Sequence, residues 1–364
     1  MLSIPGFAYI IIYQLIVVVL SLITYNKYSR TTTLKTYGGD KQNVNTLILA
    51  LVLAVFVGFR PVSGKFFVDM ANYNQYYWTI YDGATFYLDL ETDNLVFDNL
   101  LAWWGSMRLG STSFFFCIAV IYFISAFLGI RRLFPNDTWA AFLVFLAALS
   151  TFSYGTNGIK AGAAASLFIW AMGYRENLKI CIPLILLSWG FHHSMQLPVA
   201  AFILTLFFKN PKWYFYGWVA CFLLSLAHVS YFANLFASMS DESGAGYLAG
   251  GYDDGTKGGF RIDFILYSAM PVLVGYWALY KKHVDMSGLY KDLLNLYLCT
   301  NGVWMLCMYA NFTNRIAYLS WFLYPIVLIY PFLNEDLGPR RYRQFSKVML
   351  CHLAFTLFMS FIYY

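Results

Sequence analysis

Long unbroken apolar runs decide what this chain can fold into. The first, "PGFAYIIIYQLIVVVLSLIT" at residues 5–24, carries no charge, and similar runs recur at about 43–59, 111–130, 138–154, 160–174, 212–229, 263–280, 290–310, 315–333 and 347–364. A run of roughly 17–25 apolar residues is what a helix needs to cross a hydrocarbon core. The runs are continuous and do not alternate every second residue, so each span satisfies its own backbone as a helix and not as a barrel strand. With 60% hydrophobic and 12% charged residues over 364 positions, the composition excludes an ordinary soluble domain. The expectation is an all-α polytopic membrane protein: one integral membrane domain over 1–364, with about ten full transmembrane helices.

The first run lacks a basic stretch before it and a small-residue cleavage site after it, so it reads as a retained span and not a signal peptide. All six cysteines, Cys117, Cys181, Cys221, Cys299, Cys307 and Cys351, lie within or beside apolar runs, and no two stand at metal-ligand spacing. They read as buried thiols, without disulfides or a metal site.

The net charge of +6 is better read as topology than as an attraction to nucleic acid. Seventeen of the 24 basic residues fall on one set of connections: Lys27, Arg30, Lys35, Lys41, Arg131, Arg132, Arg175, Lys179, Lys209, Lys212, Lys281, Lys282, Lys291, Arg340, Arg341, Arg343 and Lys347. The positive-inside rule makes that set cytoplasmic. Both flanks of the stretch 180–208 fall on this side, yet the stretch is too long for one upright helix and too short for two. It reads as a short helical hairpin with "FHHS" at its tip.

The other seven cations, Arg60, Lys65, Arg108, Lys160, Lys257, Arg261 and Arg315, fall on the outer side. Two long outer loops, about 60–110 and 230–262, accompany them and hold most of the acidic residues. Within the first, "NLVFDNLLAWWGSMRLG" reads as an amphipathic helix lying in the interface. The second is glycine-rich, and its "YDD", like "ETD" at 91–93, is a weak acidic motif without a nucleotide-binding domain around it.

Four of the outer cations, Arg60, Lys160, Arg261 and Arg315, stand at helix ends. Each alone could be snorkelling to the headgroups; four at one level point to a basic pocket for phosphate or pyrophosphate. His192 and His193 interrupt an apolar hairpin, where burying polar groups needs a reason. An imidazole there can exchange a proton or donate to phosphate. Adjacent helical positions point about 100° apart, so one of the two faces any site. Asp69, nine residues after Arg60, offers a carboxylate, and Tyr73 and Tyr76 offer ring faces for sugars. "AGAAAS" at 161–166 reads as helix packing.

In that order, "GFRPVSGKFFVDMANYNQYY", "GTNGIKAGAAASLFIWAMGY", "SWGFHHSMQLPV", "FRIDFILYS" and "NRIAYLSWF" resemble the EpsG/Wzy-type polysaccharide polymerases over most of the chain. The resemblance implies a GT-C-like, metal-independent membrane glycosyltransferase without a cofactor, in the bacterial cytoplasmic membrane and facing the periplasm or exterior. Its substrates would be undecaprenyl-pyrophosphate-linked donor and acceptor repeat units of O-antigen, capsule or exopolysaccharide, with membrane lipid and a chain-length regulator as partners. Carried over by position, it marks Arg60, Asp69, His192 and Arg315 as catalytic and Lys160 and Arg261 as binding pyrophosphate or sugar; the residues themselves add His193 and Tyr73 to the binding set. The proton acceptor is His192 or Asp69. Where the family typically has arginine, this chain has Lys160, a point charge without a bidentate fork. The rivals are a lipid-linked oligosaccharide flippase, which needs polar groups at the midplane and related halves, and an O-antigen ligase or other envelope transferase.

Overall fold

The computed structural model describes residues 4–31, 40–228, 259–284, 287–310 and 313–363. Most of the glycine-rich loop, with "YDD" and Lys257, lies outside these residues, as does Lys35. All regular structure among the described residues is helical. Among the described residues, six helices are long and apolar enough to cross a membrane: Gly6–Ser29, Lys41–Gly58, Ser111–Leu133, Ile262–Lys281, Thr313–Asn334 and Arg341–Ile362. A seventh crossing exists if the pair Thr138–Leu146 and Leu149–Thr156, bent by 75°, is one broken span. The runs expected at 160–174, 212–229 and 290–310 form helices of 14, 16 and 19 residues. The chain is a multi-pass membrane protein.

The helices group into two compact units, Met1–His192 with Tyr342–Tyr364, and His193–Arg341. The first contains α1 (Gly6–Ser29), α2 (Asp40–Gly58), α3 (Val68–Tyr76), α4 (Leu95–Ser106), α5 (Ser111–Leu133), α6 (Thr138–Leu146), α7 (Leu149–Thr156), α8 (Ile159–Met172) and α9 (Leu178–Phe191). The second contains α10 (Gln196–Phe207), α11 (Pro211–Leu226), α12 (Ile262–Tyr276), α13 (Gly288–Leu306), α14 (Thr313–Trp321) and α15 (Tyr324–Asn334). Then α16 (Arg341–Tyr363) returns the chain to the first unit.

In the first unit α5 packs against α2 and α8, and α8 packs also on α9. Glycines set the spacing. A Cβ on Gly58 of α2 would stand 2.7 Å from the Phe116 Cα on α5, and one on Gly129 of α5 would stand 2.7 Å from the Ile169 carbonyl carbon and the Trp170 nitrogen on α8. Close backbone approach over small residues is the usual route to helix association where lipid is as apolar as the side chains. The "AGAAAS" stretch on α8 is buried as expected, and the Ala164 carbonyl accepts the Ser188 hydroxyl of α9 at 2.7 Å.

The break between α6 and α7 was not foreseen, because residues 138–154 contain no proline and their one apolar run is continuous. At Ala148 the backbone turns extended (ψ 143°), and carbonyls that a straight helix would use internally need other donors. Side chains reach three of them: His352 of α16 lies 3.3 Å from the Val144 oxygen, Thr151 donates to Phe145 at 2.6 Å, and Tyr13 of α1 to Leu146 at 2.7 Å. Tyr122 of α5 donates in turn to Thr151 at 3.0 Å. Below the start of α6, the buried Asp137 carboxylate accepts the Tyr28 hydroxyl at 2.6 Å and the Tyr342 hydroxyl at 3.5 Å.

The second unit is held by buried aromatic and amide contacts. Tyr267 and Tyr324 stack at 4.0 Å, and Trp321 donates to Ser268 at 2.8 Å. Asn301, fully buried, accepts from the Trp218 indole at 2.9 Å and donates to Ser320 at 3.0 Å. A buried amide satisfied on both ends orders its neighbours, whereas an unsatisfied one costs about 1–3 kcal/mol.

Gly129→Ala is expected to destabilise the protein by about 1–3 kcal/mol, because the new methyl meets backbone and not a movable side chain. Gly217→Ala, where a Cβ meets nothing within 4 Å, is the matched control. Thermal unfolding of both variants in detergent checks this, and equal midpoints would refute the close-approach account.

Candidate functional site

Arg60 follows two residues after α2 ends at Gly58, at the junction where a cation was expected to face outward. The structure turns it inward. The side chain is 2% exposed, with Nη1 donating to the Val57 carbonyl at 2.7 Å and Nη2 to the Thr156 carbonyl at 2.5 Å. It therefore grips the carboxyl ends of α2 and α7, where the helix dipoles are negative. The Phe67 and Phe115 rings lie 5.4 and 6.0 Å from the guanidinium carbon. Burial pulls its pKa down to about 9, partly offset by Tyr9, and the group stays charged at neutral pH. Its Nε is buried without a partner among the described residues.

The residue after Thr156 continues the joint. Asn157 caps α7, and its side-chain oxygen accepts the Asp69 backbone N–H at 2.9 Å across 88 residues of sequence. That bond fixes the first turn of α3 to the α7–α8 turn. Asp69 and Tyr73 sit on α3, half-buried, one helical turn apart. Lys160 sits in the first turn of α8, its ammonium 5.6 Å from the Tyr73 ring and 5.7 Å from the Phe97 ring of α4. Among the described residues, two ring faces hold the ammonium. A lysine in the first turn opposes the helix dipole, so the ammonium and the helix amino end together make a local field suited to an anion. Arg60, Asp69, Tyr73 and Lys160 thus meet around one turn.

The first outer loop is built from short helices. Beyond α3, Tyr77–Tyr81 forms a wide π turn, and α4 follows as a 12-residue helix resting on that turn and on α9. The helix expected in "NLVFDNLLAWWGSMRLG" is present, over Leu95–Ser106.

The two histidines do not share a helix, so the 100° argument does not apply. His192 ends α9 in an extended conformation, and His193 opens a 3-10 turn that leads into α10. In the second unit, the Gln196 amide nitrogen lies 2.7 Å from Nε2 of His193. Arg261 caps the start of α12 and forms a bidentate pair with Asp263, at 3.0 and 2.7 Å, over the Phe264 ring at 3.6 Å. It is a neutralised pair and not a bare cation. Arg315 is exposed on α14.

Sequence reasoning missed Asn157, Phe97 and the pair His228 and Tyr309. The Asn157–Gly158 dipeptide is a turn signal, but nothing in it announces a bond to Asp69. Among curated proteins and among solved structures, no match to the chain is found. The EpsG family model matches residues 43–364. With the match covering the helices that carry all of these residues, the chain belongs to the EpsG family, a family of polysaccharide polymerases.

Proposed function

We propose that the protein is a GT-C-like polymerase that joins undecaprenyl-pyrophosphate-linked repeat units at the outer face of the bacterial cytoplasmic membrane. The observation that carries this reading is the meeting of Lys160, Asp69 and Tyr73 around the Asn157 turn, in a chain of this family. In the reaction, an acceptor hydroxyl oxygen bonds to the donor's anomeric carbon. The bond from that carbon to pyrophosphate breaks, and pyrophosphate leaves with the electron pair. Lys160 and the amino end of α8 lie where they can balance the developing charge, an effect that preorganised groups supply at little reorganisation cost. The hydroxyl proton goes to Asp69 or His192, both half-buried in the first unit. Tyr73, already facing an ammonium, offers a ring face to a sugar.

Arg60 contributes differently in this reading. Its buried contacts to two helix carboxyl ends make it a positioning residue that holds the α7–α8 turn and, through it, Lys160. Arg261, His193 and the exposed Arg315 in the second unit serve as phosphate or sugar contacts. A chain-length regulator would act on the assembled enzyme.

In a strain whose own copy is deleted, Lys160→Ala at equal membrane expression should leave single repeat units on the mature acceptor, Lys160→Arg should restore long chains, and one of Asp69→Asn and His192→Ala should match Lys160→Ala, identifying the proton acceptor. Gel profiles decide this. Persisting long chains with Lys160→Ala would remove the polymerase site from this turn, and loss of even single units would favour the flippase or ligase.

The Asn157 bond makes a second expectation. Asn157→Ala leaves the Asp69 N–H without its acceptor and should shorten chains with little change in melting temperature, on the order of 1 kcal/mol of stability. Asn157→Asp keeps an acceptor oxygen and should recover length. Full length in Asn157→Ala would show that the bond does not position Asp69 for the reaction.

A further inference from the structure

The second unit carries an arrangement that the proposed reaction does not use. Helix α11 ends at Leu226, and two residues later His228 adopts a left-handed backbone, φ 57°, with its N–H on the Ser225 carbonyl at 3.0 Å. That position after a helix is one where glycine or asparagine is at ease and other side chains carry a cost. Strained backbone of this kind is a reason to ask what the side chain does. The imidazole is exposed and lies flat on the Tyr309 ring, centroids 3.9 Å apart and planes within 13°.

The platform is anchored from beneath. The Tyr309 hydroxyl donates to the same Ser225 carbonyl at 3.0 Å, and the Ser225 hydroxyl reaches the Met308 sulfur at 3.7 Å. That sulfur also receives the Arg261 backbone N–H at 3.2 Å. Met308 thus ties the platform's anchor to the Arg261 backbone, and the Arg261 guanidinium is held bidentate by Asp263.

We infer that His228 and Tyr309 form a carbohydrate subsite, in which the exposed imidazole face receives the C–H face of a sugar ring and the Arg261–Asp263 pair hydrogen-bonds its hydroxyls. Flat ring faces beside paired donors and acceptors suit a neutral, many-hydroxyl ligand, since apolar C–H groups and polar O–H groups alternate around a pyranose. An inorganic anion would gain little from the ring and would meet Asp263. The identity of the ligand as a repeat-unit glycan rests on the polymerase reading; the platform itself does not.

The test uses the full-length protein in lipid nanodiscs and, as probe, the lipid-free oligosaccharide released by mild acid from the strain's own lipid-linked repeat unit. Titration by saturation-transfer NMR or calorimetry should show binding to wild type. His228→Asn, which tolerates the left-handed backbone but has no ring, should weaken it by roughly tenfold. His228→Tyr, which restores a ring but exchanges no proton near neutral pH, should return to within about threefold of wild type. Tyr309→Ala should weaken binding like His228→Asn; if it does not fold, the two His228 variants decide alone. Unchanged binding in His228→Asn, or no recovery in His228→Tyr, overturns the platform. The gel profile of Lys160→Ala separates the two readings. Long chains there defeat the polymerase site whatever His228 does, whereas single units with wild-type binding in His228→Asn defeat the platform alone.

Discussion

The carboxyl end of a helix inside a membrane protein presents carbonyls that water does not reach, and this structure depends on how those carbonyls are satisfied. Each unpaired one would cost several kcal/mol in hydrocarbon. The chain answers with side chains from distant segments. Tyr13, Thr151 and His352 cover the end of α6, and Arg60 covers α2 and α7 together. A satisfied carbonyl is also a fixed one. The donors that remove the penalty thereby also hold the break between α6 and α7 and the turn from which α8 starts with its lysine.

This explains why charged and polar groups near the candidate site divide into two kinds. Arg60 is consumed by backbone, and its charge acts on helix ends. Lys160 faces aromatic rings, which hold an ammonium without neutralising it. Similar residues in the sequence thus end in opposite circumstances, one buried in protein and one kept available at a helix amino end.

Much of the architecture was legible in the residues. Long apolar runs gave the helical membrane class, "FHHS" marked a true interruption between α9 and α10, and Arg60, Asp69, Tyr73 and Lys160 were singled out before any coordinates brought them to one turn. The inward direction of Arg60 was not legible, because a cation beyond an apolar run looks the same whether it reaches for headgroups or for carbonyls 96 residues away. The break at Ala147–Ala148 was hidden for a related reason. Apolar periodicity reports which residues avoid water, and it is silent about donors on other helices that make a broken ladder tolerable. Asn157 shows the same limit, since its partner lies 88 residues back.

Asp137 joins Tyr28 to Tyr342, residues 109 and 205 positions from it. One carboxylate therefore helps close a unit whose described helices α1 to α9 and whose last helix are separated in the chain by the whole of the second unit. During synthesis α1 to α9 reach the membrane with that bond, and the His352 cap on Val144, still unmade. The first unit has to wait as an open assembly while the intervening helices are inserted, its buried carboxylate met by one tyrosine. The enzyme's order of manufacture is thus written into its bonding: the second unit is complete in sequence before the first can shut.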